Sequence, residues 1–144
     1  MNGENVKVYS LAKDGDDNLA TNFRVREFRC RDGSDPVFVH ESLPKVLQQI
    51  RGYFGKPIVI SSAFRTASHN KKEGGSTYSR HLYGMAADIS IEGVTPLEIA
   101  KYADKFLGNA GCVGLYKTFV HIDVRKTRYR FDKRGGKEVA VNGF

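Results

Sequence analysis

Residues 79–91 read Ser79-Arg80-His81-Leu82-Tyr83-Gly84-Met85-Ala86-Ala87-Asp88-Ile89-Ser90-Ile91, and the change of texture within them decides the fold. In the second half, Ala87, Ile89 and Ile91 alternate with Asp88 and Ser90, the period-two pattern of a strand with one apolar and one polar face. A second stretch, Phe119-Val120-His121-Ile122-Asp123-Val124, repeats the pattern. Val120, Ile122 and Val124 share its apolar face, and His121 and Asp123 share the other. Two such strands side by side in one sheet bring Asp88 and His121 together, with His81 arriving from the preceding loop. Gly84 and the small Ala86 and Ala87 permit the close approach that this loop requires.

Working outward, Leu43, Val46, Leu47, Ile50 and Phe54 recur at helical spacing and predict a helix over about 41–53, with Pro44 tolerated in its first turn. Residues 57–61 then read as a short buried strand, and 66–72 as a short helix stopped by Gly74-Gly75. Thr95, Pro96 and Glu98 are the N-cap, first position and capping-box partner of a further helix that ends at Gly108. The last third reads as strands over 112–116 and 119–124 and a hairpin around Arg134-Gly135-Gly136. Before these, Val6–Tyr9 is a possible strand, 22–28 begins with alternation, and 31–36 is a loop by its turn residues. The sum is one α+β domain over 1–144, an antiparallel sheet with flanking helices.

Bulk properties exclude several classes. With 144 residues, 40% hydrophobic and 27% charged, the chain is long enough for a core of its own and ordinary for a globular domain. No apolar run approaches the roughly 20 residues of a membrane helix, so membrane insertion is not expected. The start, Met1-Asn2-Gly3-Glu4-Asn5, lacks the basic and apolar stretches of a secretory leader, which predicts cytoplasmic accumulation or export by another route. Two cysteines, Cys30 and Cys112, are too few for a disulfide framework and read as small buried thiols outside any metal site. The net charge of +7 favours polyanions in general. It is densest over 125–137, a basic hairpin reaching to about 141, where Arg125, Lys126, Arg128, Arg130, Lys133, Arg134 and Lys137 gather.

The candidate site is His81, Asp88 and His121. Two imidazoles and a carboxylate suit zinc, and three protein ligands leave one position open, the pattern of a catalytic rather than a structural zinc site. The pattern Ser79-x-His81-x-x-Gly84-x-Ala86-x-Asp88 resembles the signature of the zinc D-alanyl-D-alanine carboxypeptidase family, which shares the hedgehog/DD-peptidase fold. The stretch Ile60-Ser61-Ser62-Ala63-Phe64-Arg65-Thr66-Ala67-Ser68-His69-Asn70, the Gly74-Gly75 pair, and Gly114-Leu115-Tyr116 through His121 are similar to further blocks of that family, over roughly residues 23–125.

That resemblance implies zinc ligation by His81, Asp88 and His121. It implies that Arg65 stands beside the substrate, pairing a carboxylate or polarising a carbonyl, and that Ser79 hydrogen-bonds the substrate. The expected activity is hydrolysis of stem peptides of bacterial peptidoglycan, at the terminal D-Ala-D-Ala bond or at an internal bond such as L-Ala-D-Glu. The family often carries an acidic residue three positions before the last histidine, or a histidine two positions before it. Here Thr118 and Phe119 stand there, and neither is a base. Asp123 is the best remaining base, or else an orienter of His121. Glu73 and Asp104 are weaker candidates, His69 and Tyr116 are possible cleft-lining groups, and His40 carries no signal.

Two other readings follow from the same residues. A relative without activity would use zinc to stabilise a cell-wall or protein binding domain. A nucleic-acid-binding protein would use the basic hairpin and bind with steep salt dependence, but no nucleic-acid motif accompanies it. The small size and absent leader also resemble phage lysis enzymes.

Overall fold

The structure, a computed structural model, describes residues 5–144; the stretch 1–4, on which the leader reading partly rests, lies outside them. Strand β1 (Val6–Ser10) pairs antiparallel with β4 (Pro36–His40), so the weakly marked Val6–Tyr9 is a true strand. Between them lie a one-turn helix α1 (Leu11–Asp14), a small ribbon of β2 (Asn18–Ala20) and β3 (Phe23–Arg24), and a 3₁₀ turn over Val25–Phe28. The alternation seen at 22–28 is therefore a ribbon edge running into a turn, with Phe23, Val25 and Phe28 buried. Helix α2 (Ser42–Phe54) follows and ends at Gly55, which adopts φ 65°. Leu43, Leu47 and Ile50 turn inward as their spacing demands.

The larger sheet orders its six strands β10-β9-β7-β8-β6-β5. These are β5 (Ile58–Ser62), β6 (Ala86–Ile91), β7 (Cys112–Leu115), β8 (Val120–Asp123), β9 (Tyr129–Asp132) and β10 (Val139–Ala140), interspersed with α3 (Ala67–Lys72) and α4 (Pro96–Leu107). The sheet is antiparallel except at one pair: β7 and β9 run parallel, with Gly114 opposite Phe131. The cause is topological. A tight turn, closed by Tyr116 N–H donating to Phe119 O at 3.0 Å, sends β8 back along the inner side of β7. The chain leaving β8 must then pass beneath the start of β7 to reach its open side, and Gly111 holds both Arg125 and Tyr129 by backbone bonds of 2.9 and 3.0 Å. Strand β9 thus sets off in the direction of β7.

Helices α2 and α4 pack together, and α4 lies against β7 and β8. Ile99, Ala100 and Ala103 of α4 join Ile89, Val113, Leu115, Val120 and Ile122 in one core. Each aliphatic side chain fully buried there contributes roughly 1.5–3 kcal/mol. The start of α4 is the capping box read from sequence: Thr95 Oγ1 accepts from Glu98 N at 3.2 Å and Glu98 Oε2 accepts from Thr95 N at 2.8 Å. Among the described residues no helix is long and apolar enough to cross a membrane.

Candidate metal centre and its cleft

Strands β6 and β8 are neighbours, and their register sets Asp88 directly opposite His121. The apolar faces of both strands are anchored in the core, which aims this pair away from it. His81 comes from a 3₁₀ turn over Arg80–Tyr83 whose start is capped by Ser79 Oγ, accepting from His81 N at 3.2 Å. The turn ends at Gly84, which needs to be glycine twice over. Its φ is +69°, and a Cβ there would lie 2.2 Å from the carbonyl oxygen of Phe38.

Three donor atoms converge. His81 Nε2 lies 3.3 Å from Asp88 Oδ1, and His121 Nδ1 lies 3.1 Å from the same oxygen. Ligand atoms of the three residues all fall within 4.8 Å of one another. The outer nitrogen of each ring is spoken for. His81 Nδ1 sits 2.6 Å from Ala63 O, a carbonyl that can only accept, so Nδ1 carries the hydrogen and Nε2 keeps its lone pair. His121 Nε2 lies 2.8 Å from Asp123 Oδ2, so its Nδ1 is likewise left to face inward. His81 is therefore held in the tautomer that a metal requires, and His121 reaches it when its Nδ1 proton leaves. His81 is only 3% exposed and Asp88 7%.

Electrostatics favour the same use. Burial pushes the Asp88 carboxyl up, but the hydrogen bond from His121 and the two facing imidazoles outweigh it and hold Asp88 well below the usual carboxylate range. Burial pulls His121 down, and its bonds to Asp123 and Asp88 outweigh that, so the imidazole holds its proton well above its ordinary value. A carboxylate kept ionised between two imidazoles is a ready partner for a divalent cation. The donor set, two imidazole nitrogens and one carboxylate oxygen with each ring oriented from behind, fits zinc.

The centre lies in a cleft of about 730 Å³ that also exposes Arg65, Ser79, Arg80, Tyr116 and Phe119. Arg65 is held by Ser62 Oγ at 3.0 Å and Asn70 Oδ1 at 3.2 Å, and its Nη2 stands 3.7 Å from Asp88 Oδ2. Asn70 is itself buried and donates to Ser76 O at 2.9 Å. Gly75 leaves room for this pair, because a Cβ there would fall 2.0 Å from Asn70 Oδ1 and 3.0 Å from Arg65 Nη1. Gly114 serves similarly, since a Cβ would lie 2.1 Å from the Phe131 ring that packs near His121.

Asp123 is placed otherwise than the sequence suggested for a base. It is 0% exposed and lies behind His121 rather than in the cleft. Its Oδ1 accepts from Arg125 N and Nε at 3.2 and 2.8 Å, and its Oδ2 accepts from Arg125 Nη2 at 2.7 Å as well as from His121. No lone pair faces a reacting group, and burial, which raises its pKa, is outweighed by His121 and Arg125. Period-two alternation put Asp123 on the correct face, and the sequence also allowed it an ion pair with Arg125 or Arg80; the structure makes that pair with Arg125, which folds over it.

Of the weaker candidates, Glu73 lines the cleft and lies 3.6 Å from His69 Nε2, while Asp104 is remote and binds Arg128 and Arg130. Tyr116 lines the cleft as expected; His69 does not. Glu138 was missed altogether. It reaches the cleft from the C-terminal hairpin, accepting from Tyr129 Oη at 2.7 Å, and lies outside every recognisable motif. Both cysteines are buried free thiols. Cys112 nevertheless lies within ligand distance of His121 and Asp123, and Cys30 of Asp32 and His69, which sequence spacing did not reveal.

A buried His-Asp-His set at the base of an open cleft, with an arginine beside it, is the arrangement of a metal-dependent hydrolase. A family model described as Peptidase M15 matches residues 19–123, and the chain belongs to that family. A curated relative, the zinc D-Ala-D-Ala carboxypeptidase of Streptomyces albus G, is 46% identical over 44 residues, a segment that spans 30% of this chain and 17% of that protein.

Proposed function

We propose that the protein is a zinc-dependent peptidase acting on the stem peptides of bacterial peptidoglycan, with His81, Asp88 and His121 as the metal ligands. The observation that carries this reading is the convergence of His81 Nε2, His121 Nδ1 and Asp88 Oδ1 while both outer ring nitrogens are fixed by Ala63 O and Asp123. Family membership and the named activity of the relative support it. The α+β architecture, with its site on the polar faces of β6 and β8, is compatible with the hedgehog/DD-peptidase fold.

Zinc, when bound, supplies Lewis acidity: it polarises a carbonyl and acidifies water at its open position. The chain's own residues do the rest. Arg65, held by Ser62 and Asn70, presents its guanidinium to a substrate carboxylate or to the carbonyl where charge develops. Ser79 spends an oxygen lone pair on capping the turn and keeps its O–H for the substrate. Asp123 orients His121 and holds its Nε2 proton. The carboxylates left in the cleft to carry a proton are Glu73 and Glu138, brought there by the Gly74-Gly75 turn and by the hairpin.

A second reading, a zinc-stabilised binding domain without activity, is favoured by one observation, the seclusion of Asp123. Digestion of purified peptidoglycan, followed by mass spectrometry with the protein as isolated, chelated and zinc-restored, separates the two. Cleavage lost on chelation and regained with zinc is the expected result. A terminal alanine released marks a carboxypeptidase and an internal cut an endopeptidase. Tight zinc binding with every muropeptide intact contradicts the peptidase reading.

A further inference from the structure

Behind the 3₁₀ turn that carries His81 lies a second, smaller cavity of about 210 Å³. Its polar lining comprises Arg80, Arg125, Lys126, His40, Asn5 and Thr127, with no acidic side chain among them. Arg80 and Arg125 also line the metal cleft, so the two spaces share a wall. Three cations around one small space repel each other unless an anion joins them.

Arg80 gives the second, independent observation. Its Nε is buried and has no hydrogen-bond partner among the described residues, and its Nη1 reaches Tyr78 O at 3.2 Å. Burying a guanidinium donor without an acceptor is costly, and the chain avoids it elsewhere. Arg130, 2% exposed, gives Nε to Asp104 at 2.6 Å, Nη1 to Gly111 O at 2.7 Å and Nη2 to Gly108 O at 3.0 Å. His40 adds a neutral donor. Its Nδ1 accepts from Ser42 N at 3.1 Å, which leaves the hydrogen on Nε2, and burial lowers its pKa and keeps the ring uncharged. Arg125 is partly neutralised by Asp123; Lys126 is exposed and has no carboxylate partner among the described residues.

We propose that this cavity is an anion subsite that receives a carboxylate of the peptide substrate at a distance from the scissile bond; the assignment of its occupant rests on the peptidase reading. The space exceeds that of a single water several-fold, enough for a carboxylate and the carbon that bears it. Arg80 supplies the unspent guanidinium donor, His40 a neutral N–H and Lys126 the mobile charge. The subsite makes the enzyme select acidic peptides over their amidated counterparts.

The test uses the zinc-loaded protein and two synthetic peptides with one scissile bond, differing only in a free side carboxylate or its carboxamide. The free acid is expected to have a kcat/KM about ten- to hundredfold higher, mostly through KM, as one or two charge-assisted hydrogen bonds allow. Arg80→Gln should collapse that ratio towards one, and Lys126→Gln, on an exposed residue, should reduce it about threefold even if the first variant fails to fold. In parallel, inorganic phosphate is titrated into metal-free and zinc-loaded protein while the His40 ring and Lys126 Nζ resonances are followed by NMR. Shifts at both, independent of zinc, are expected. Equal rates for the two peptides with phosphate binding intact would mean a site for free anions and overturn the assigned occupant. Equal rates with no phosphate shift would overturn the subsite. If neither peptide is cut, the peptidase reading and the assigned occupant fall together, and the phosphate titration alone decides whether an anion site exists.

Discussion

Two charge clusters in this molecule use the same residue types and end in opposite states. At one end, Asp104 binds Arg130 Nε at 2.6 Å and Arg128 Nη1 at 3.0 Å, while carbonyls of Gly108, Gly111 and Tyr129 take the other Arg130 donors and Asn142 O takes Arg128 Nη2. Asp104 also receives Phe144 N at 2.9 Å, tying down the C-terminus. Every guanidinium nitrogen of Arg130 meets an acceptor, and the cluster is a clamp. At the other end, Asp123 is equally saturated, by Arg125 and His121, but it serves a group that is not. His81 Nε2, His121 Nδ1 and Asp88 Oδ1 face one another with more acceptors than hydrogens. Atoms left over, rather than the kinds of residue present, distinguish a site from a strut.

The comparison breaks first at its sharpest difference. His121→Ala or His81→Ala should abolish zinc retention and lower hydrolysis about a thousandfold or more, together with a loss of metal-free stability, since His121 bonds buried Asp88 and Asp123 and His81 bonds Ala63 O. Asp104→Asn should affect stability alone. It removes the only carboxylate partner of buried Arg130 among the described residues, costing about 3 kcal/mol in denaturant unfolding, and leaves the zinc stoichiometry at one.

Asp123→Asn sharpens the boundary between support and ligand. It keeps the side chain's size and is expected to weaken zinc binding about ten- to hundredfold, measured by competition with a chromophoric chelator. A loss of kcat at unchanged zinc affinity would restore Asp123 as a base. Gly75→Ala, placed against Asn70 and Arg65, should raise KM several-fold with zinc content unchanged.

The smallest effect is in pH dependence, where the clusters have opposite signs. Asp104 has a depressed pKa: burial raises it, and the bonds from Phe144, Arg130 and Arg128 outweigh burial. Its contribution to stability is present above the unfolded carboxylate value of about 3.9 and is lost as pH falls through the folded one. His121 has a raised pKa in the metal-free protein. Its contribution is complete below the unfolded imidazole value of about 6.5 and is lost as pH rises through the folded one. Chemical denaturation of zinc-free protein across pH should show both slopes. Apparent zinc affinity should rise with pH over the same upper range, because the metal displaces the His121 proton.

Much of this was legible in the sequence. Alternation in 86–91 and 119–124 named the two strands and put Asp88, His121 and Asp123 on polar faces, because each strand has one face in the core. The capping box and the apolar spacing gave α4 and α2. What escaped depends on contacts distant in sequence or decided by side-chain reach. The parallel β7–β9 pair follows from which side of β7 the returning strand occupies. The basic hairpin loses much of its free charge to Asp104, Asp123 and Asp132, with Arg134 Nη2 2.7 Å from the last, so its charge count overstated its reach for a polyanion. Glu138 and the Arg80 cavity arise from packing that no local pattern encodes.

The most direct test of the central claim is anomalous diffraction at the zinc edge from crystals of the zinc-loaded protein. A single peak in contact with His81 Nε2, Asp88 Oδ1 and His121 Nδ1, with Asp123 still bonded to His121 Nε2, is the expected result. A peak on Cys112, Asp123 and the Nε2 side of His121 would contradict it.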